Sequence, residues 1–135
     1  MSTDPAMNTV RGCYEALARR DLGAFVALLA DDCVMYEAGG SDIIHSGVYR
    51  GLSEITGVFQ RLSQLSDGSG HFELQDLFSD GAGAVVSVHR NLARRPDGRT
   101  LDTREALLFQ VQDGKVTSVR NFYDDMSEVG RFWSN

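Results

Sequence analysis

The sequence predicts an α+β domain, and three observations carry that expectation. Apolar residues recur at helical spacing in three segments before residue 65, and the period then shortens to that of strands in four consecutive segments. The turns between those strands carry Asp80-Gly81, Pro96-Asp97-Gly98 and Asp113-Gly114, which is hairpin chemistry. Helices gathered early and strands gathered late imply an antiparallel sheet curling around the helices, with space for a pocket between them.

The first helix starts at Asp4, an N-cap followed by Pro5 at a position whose missing N–H costs nothing. Met7, Val10, Tyr14 and Leu17 then form its apolar face. Asp21 caps a shorter second helix bearing Phe25, Leu28 and Leu29. The stretch DDCVMYEA changes to strand character and ends at Gly39-Gly40. Next, GSDIIHSGVYRG reads as a long glycine-flanked loop, and LSEITGVFQRLSQL as a third helix with Ile55, Val58, Phe59 and Leu62 on one side. The strands HFELQDLFS, AVVSVHRNLARR, TLDTREALLFQV and KVTSVRNFYDD complete a meander. The final EVGRFWS reads as a short tail packing Phe132 and Trp133 against the sheet or a partner subunit, with Asp124 and Asp125 capping the turn before it.

A chain of 135 residues without linker or repeat forms one domain, residues 1–135, large enough to enclose a modest cavity. No apolar run approaches the roughly 20 residues that span a bilayer. The net charge of -6 argues against nucleic acid as a partner, because such binding depends on a basic face. Arg94-Arg95 beside Pro96 reads as a solvated hairpin or, alternatively, a clamp for a substrate phosphate. The two cysteines, Cys13 and Cys33, read as small buried hydrophobes in a reducing cytoplasm. His45, His71 and His89 are too widely spaced for a metal motif, and no nucleotide loop or nucleophile elbow occurs. Cofactor-independent acid–base chemistry is the enzyme class these residues leave.

Three stretches in order, RRDLGAFVALLADDCVMYEAGG, GVYRGLSEI and LLFQVQDGKVTSVRNFYDD, resemble the SnoaL-like polyketide cyclases within the superfamily of ketosteroid isomerase and nuclear-transport-factor-two-like proteins. The resemblance spans nearly the whole chain. It implies a cone-shaped α+β barrel, a curved antiparallel sheet wrapped around three helices, open at one end and commonly dimeric through the sheet. It also sets which strand face is internal: Met35 and Glu37, Ser87 and His89, Glu105, Leu107 and Phe109, and Asn121 with Tyr123. In the isomerases the proton-shuttling aspartate falls at Glu37, whereas their oxyanion tyrosine and aspartate fall at Cys13 and Leu107. The arginine and two aspartates of limonene-type epoxide hydrolases fall at Val85, Ser87 and Asn121. Neither apparatus is complete here.

A carboxylate facing an apolar cavity loses hydration in its charged form, which raises its pKa toward the range useful for proton transfer. Glu37 is accordingly the expected base, with His89 and Glu105 as catalytic partners. Tyr14, Met35, Phe59, Leu107, Phe109, Asn121 and Tyr123 are the expected substrate contacts. The alternatives are structural: Glu37 solvated at the cone mouth, Glu105 paired with Arg120, and His89 at an interface; His45 is a lesser functional candidate, in a loop placed to lid the cavity, and His71 reads as solvated. The function expected is a cyclase or isomerase acting on an apolar oxygenated metabolite. The competing readings are a noncatalytic binding module of the same fold and an epoxide-opening enzyme.

Overall fold

A computed structural model of the chain describes residues 3–135. The elements run α1 (Pro5–Ala18), α2 (Leu22–Val26), β1 (Leu29–Glu37), β2 (Gly47–Arg50), α3 (Gly51–Leu65), β3 (His71–Ser79), β4 (Ala84–Arg94), β5 (Thr100–Gln112), β6 (Lys115–Tyr123) and α4 (Met126–Trp133). The Asp4 carboxylate accepts the N–H groups of Ala6 and Met7 at the start of α1, and Asp21 accepts that of Ala24 at the start of α2. Two first-turn donors of α1 and one of α2 are thereby satisfied by side chains placed for that purpose in the sequence.

All six strands form one sheet in the order β2-β1-β6-β5-β4-β3. Its concave face packs against α1, α2 and α3, giving the α+β cone that the sequence predicts. Val10, Cys13, Cys33, Ile55, Val85 and Val116 are fully buried between the two layers. Neither cysteine is in a disulfide, and burial pushes the thiols up, to about 12 for Cys13 and about 11 for Cys33. Both are inert apolar filling.

Four features differ from the sequence expectation. The sheet is mixed, because β1 lies parallel to β6, with Met35 opposite Val119. No hairpin turn connects those two strands, so turn chemistry could not reveal their direction. The segment expected as loop contains β2, which pairs antiparallel with β1 from Val34↔Arg50 to Glu37↔Gly47. Four residues are too few for alternation to register.

The tail is a fourth helix, in which Asp125 accepts the Glu128 N–H at 3.0 Å. Val129, Phe132 and Trp133 recur at helical spacing and join Ile43, Ala93 and Leu101 in a second core cluster. Arg94 is exposed, as a solvated hairpin implies, but Arg95 is half-buried: its Nη1 donates to the carbonyls of Phe132 (3.1 Å) and Ser134 (2.6 Å). Arg99 donates to the carbonyls of Arg131 and Ser134 as well. Two arginines on the β4–β5 hairpin therefore satisfy the open carbonyls where α4 ends, and their charge complements the helix dipole.

Candidate functional site

The cone encloses a cavity of about 620 Å³, within the range of small-molecule sites. Its apolar wall comes from every layer: Leu17 from α1, Leu22 from α2, Met35 from β1, Val58 and Phe59 from α3, Phe72 from β3 and Trp133 from α4. Exposed Arg20, Gln60 and His71 belong to its outer rim, whereas buried His45 and Glu105, with Glu37 and Tyr123, supply polar groups within. The alternation of β1, β5 and β6 delivers Met35 with Glu37, Glu105, and Asn121 with Tyr123 to one concave face.

A single amide holds the two carboxyl groups together. Asn121 Nδ2 donates to Glu37 Oε2 at 2.5 Å and to Glu105 Oε2 at 3.0 Å, while its Oδ1 accepts the Ala38 N–H at 2.7 Å. The backbone contact fixes the amide's orientation, so both N–H groups point at carboxyl oxygens. Behind Glu105 lies His89, fully buried, with Nε2 2.7 Å from Glu105 Oε1. The other ring nitrogen, Nδ1, is 2.6 Å from the Tyr14 hydroxyl, which is itself 2.6 Å from Ser87 Oγ. Ser87, Tyr14, His89, Glu105, Asn121 and Glu37 thus form one continuous buried chain of hydrogen bonds.

Electrostatics act strongly on Glu37. Burial, followed by repulsion from the neighbouring Glu105 charge, pushes the Glu37 carboxyl up to about 8, and a hydrogen bond from Tyr123 only partly opposes this. Glu37 therefore holds a proton at neutral pH. Glu105 Oε2 accepts from the Asn121 amide, and its Oε1 lies 2.7 Å from His89 Nε2. His45 is pulled down to about 4, by burial and then by Arg61. The 3.9 Å approach of His45 Nε2 to Glu37 Oε2 consequently joins two neutral groups at pH 7 rather than an ion pair. Burial and the two glutamates also raise Tyr123 far above the usual phenol value.

Of the residues expected at the site, Met35, Glu37, Phe59, Glu105 and Tyr123 line the cavity. Asn121 lies beneath the carboxyl groups, and His89 is screened from the cavity by Glu105, with both nitrogens engaged. Tyr14, Leu107 and Phe109 are not in the wall. Tyr14 contacts Phe72, Phe109 and His89 edge-on, and Phe109 and Leu107 fill the main core. Strand alternation identifies an inner face without saying how deep each position lies; the helices cover the inner end of β5 and leave the Glu105 level open.

His45 has a larger place than the sequence implied. It is 3% exposed, lines the cavity and lies 3.1 Å from the Tyr123 hydroxyl. The loop bearing it is anchored rather than open, through buried Ile43 and the Tyr49 hydroxyl, which donates to the His45 carbonyl at 2.8 Å. The signal available in the sequence was the alternation of Ile43 and His45 within a supposed loop.

The SnoaL-like domain profile matches residues 10–119. The uncharacterized protein Rv0034 of Mycobacterium tuberculosis is 31% identical over 134 residues, covering 99% of this chain and all of that one. Among solved structures, Bal32a from a soil-derived mobile gene cassette superposes with a TM-score of 0.90 at 25% identity, covering 96% of each chain. An NTF2-like protein of Burkholderia thailandensis gives 0.85 at 27% identity, covering 99% of this chain and 100% of that one. Sequence match and cone geometry agree along nearly the whole length: the chain belongs to the SnoaL-like domain family.

Proposed function

We propose that the cavity catalyses cofactor-independent proton transfer on an apolar, oxygenated small molecule, as a cyclase or isomerase. The observation that carries this reading is the pair of cavity-lining glutamates bridged by Asn121, with Glu37 raised to about 8. A carboxyl that keeps its proton to about 8 beside a second carboxyl group offers a proton donor and a proton acceptor at one site. The division differs from the sequence expectation: Glu105 is the proton acceptor and Glu37 the proton holder.

For a carbonyl substrate, Glu105 takes a proton from the carbon beside the carbonyl, and the C–H electron pair moves into the new C=C bond. The Glu37 carboxyl gives its proton to the oxygen, yielding a neutral enol. Return of the proton from Glu105 to a different carbon, with the enol O–H proton going back to Glu37, completes an isomerisation. Attack of the enol carbon on a second carbonyl, with the enol O–H proton going back to Glu37 and the Glu105 proton going to the new alkoxide oxygen, completes a cyclisation. His89 is a positioning residue that holds Glu105 from behind, and Tyr14 with Ser87 holds His89. One such proton-transfer group contributes roughly 10²- to 10⁴-fold to rate.

The natural substrate is not required for the test. Purified protein in D2O, without added metal or nucleotide, is incubated with enolisable cyclic monoketones, whose uncatalysed exchange is slow at neutral pH, and deuterium entering the position beside the carbonyl is followed by NMR. Protein-dependent exchange that is lost in both Glu105→Gln and Glu37→Gln supports the reading. Binding without exchange favours a noncatalytic ligand-binding module.

Self-association through the sheet's outer face belongs to the same proposal. Phe78, Val86, Leu108, Arg120, Tyr36 and Val48 are successive cross-strand partners, a row crossing all six strands. Phe78 is 58% exposed, and Phe122, beside Ala106 on the next row, is 51% exposed. An apolar row of that kind fits a second copy of itself. Sedimentation equilibrium giving a dimer that dissociates in Phe122→Glu supports this, and a monomeric wild type refutes it.

A further inference from the structure

We infer that Asn91 is a specificity-determining residue of the cavity, its side-chain amide hydrogen-bonding a second hydroxyl or carbonyl oxygen of the ligand, separated by the apolar body of that molecule from the oxygen that meets Glu37 and Glu105. The inference deepens the acid–base reading above and rests on it only for which end of the ligand points inward.

The polar side chains of the cavity wall fall into two sets, and Asn91 belongs to neither. Those within already have partners: Glu37 and Glu105 share the Asn121 amide, His45 lies against Tyr123, and Ser66 Oγ donates to the Leu62 carbonyl at 2.8 Å. Those at the rim, such as Arg20, Gln60 and His71, are exposed and have bulk water beside them. Asn91 is half-buried on the wall, its amide atoms stay accessible, and no hydrogen bond from its side chain ties it to another described residue. It therefore offers a donor and an acceptor to whatever fills the cavity.

Strand register fixes where. His89 and Glu105 are cross-strand partners, and two residues along β4, Asn91 stands opposite Thr103 on β5 and Phe72 on β3. Alternation returns Asn91 to the concave face, and two residues of strand set it roughly 7 Å from the Glu105 level. The direction is away from Leu107, which packs into the main core. Its surroundings are apolar: Ala93 follows on the same wall, and the Phe72 ring lies against that of His89 with centroids 4.3 Å apart. A ligand with one oxygen at the glutamates lays its apolar body along Phe72, Leu17 and Phe59 and brings its other end to the Asn91 amide.

Such a site discriminates by what it leaves unpaired. A ligand with an apolar group opposite Asn91 expels the water that hydrates the amide and returns nothing, whereas a hydroxyl or carbonyl replaces that water. The ligand class follows: a mainly apolar molecule carrying two oxygens spaced roughly 7 Å apart, of which only the inner one meets the carboxyl groups.

Two probes of one shape test this, 2,6-dihydroxynaphthalene and 6-methyl-2-naphthol, which share the inner hydroxyl and differ only at the opposite end. Isothermal titration calorimetry at pH 7 should give the diol about fivefold higher affinity for the wild type, although the methyl compound is the more apolar. Asn91→Leu should reverse that order, as should Asn91→Val, a smaller side chain suited to a strand. Neither variant removes a hydrogen bond of the fold, and circular dichroism checks folding first. Equal affinities or a preference for the methyl compound in the wild type overturns the inference, as does a diol preference that persists in either folded variant, or failure of both probes to bind. A preference that depends on Asn91 in a protein that catalyses no deuterium exchange leaves this inference standing and removes the catalytic reading; exchange without that preference does the reverse.

Discussion

Replacing Glu37 by Gln should change how stability depends on pH, because the variant keeps the shape of a neutral carboxylic acid and cannot ionise. In the unfolded chain Glu37 loses its proton near 4.5, whereas in the fold it keeps it to about 8. Across that window the folded state binds more protons than the unfolded state, so stability falls as pH rises and levels off above 8. His45 has the opposite sense: it stays neutral in the fold down to about 4 but takes a proton below 6.5 when unfolded. Its contribution falls as pH drops from 6.5 toward 4 and opposes that of Glu37 where the windows overlap. Above pH 6.5 only Glu37 is left of the two. At 1.36 kcal/mol per pH unit, the wild type should lose about 2 kcal/mol more than Glu37→Gln between pH 6.5 and 8.5. The Glu37 side chain is 17% exposed, so solvent reduces rather than increases that figure. Urea denaturation at the two pH values, followed by far-UV circular dichroism, reads the difference directly. Parallel behaviour of wild type and variant would refute the assignment of a proton to folded Glu37.

Asn121→Asp replaces the bridging donor with a third carboxyl group between Glu37 and Glu105, and should destabilise the fold at pH 7 by about 3 kcal/mol or more, with partial recovery at pH 5 in the same denaturation assay. Tyr14→Phe removes the hydroxyl between Ser87 and His89 and should cost roughly 1–3 kcal/mol in the same denaturation assay. Gly83→Ala should cost about 1–3 kcal/mol in thermal denaturation, since φ is +108° and an added Cβ would lie 2.7 Å from the Val111 carbonyl oxygen. Gly81→Ala, at φ +75° with no atom within 4 Å of the added Cβ, should cost less.

Local grammar made most of the fold legible. Asp4, Asp21 and Asp125 all cap as their side chains and spacing suggest, and the four late strands form a meander joined at the expected turns. What stayed hidden was non-local. The parallel pairing of β1 with β6 joins segments far apart in the chain, Met35 with Val119, and α4 is short enough for its pattern of Val129, Phe132 and Trp133 to look like a tail. At the site, alternation placed Glu37 and Glu105 on the inner face but could not assign depth. Depth depends on how far the helices fill the cone, which is why Leu107 and Phe109 are core rather than wall. Nor could alternation show that Asn121 bridges the two carboxyl groups, since that contact joins three strands. His45 was obscured because burial of a loop residue depends on α4 folding back over it, and Trp133 is the residue that covers the ring.

The central claim is that Glu37 and Glu105 divide into proton holder and proton acceptor. Carbon-13 NMR of protein labelled at glutamate side-chain carboxyl carbons, with Glu37 assigned by its loss in Glu37→Gln, measures this most directly. The account predicts that the Glu37 carboxyl titrates with a midpoint near 8. A Glu37 carboxyl that is fully ionised at pH 6 would contradict it.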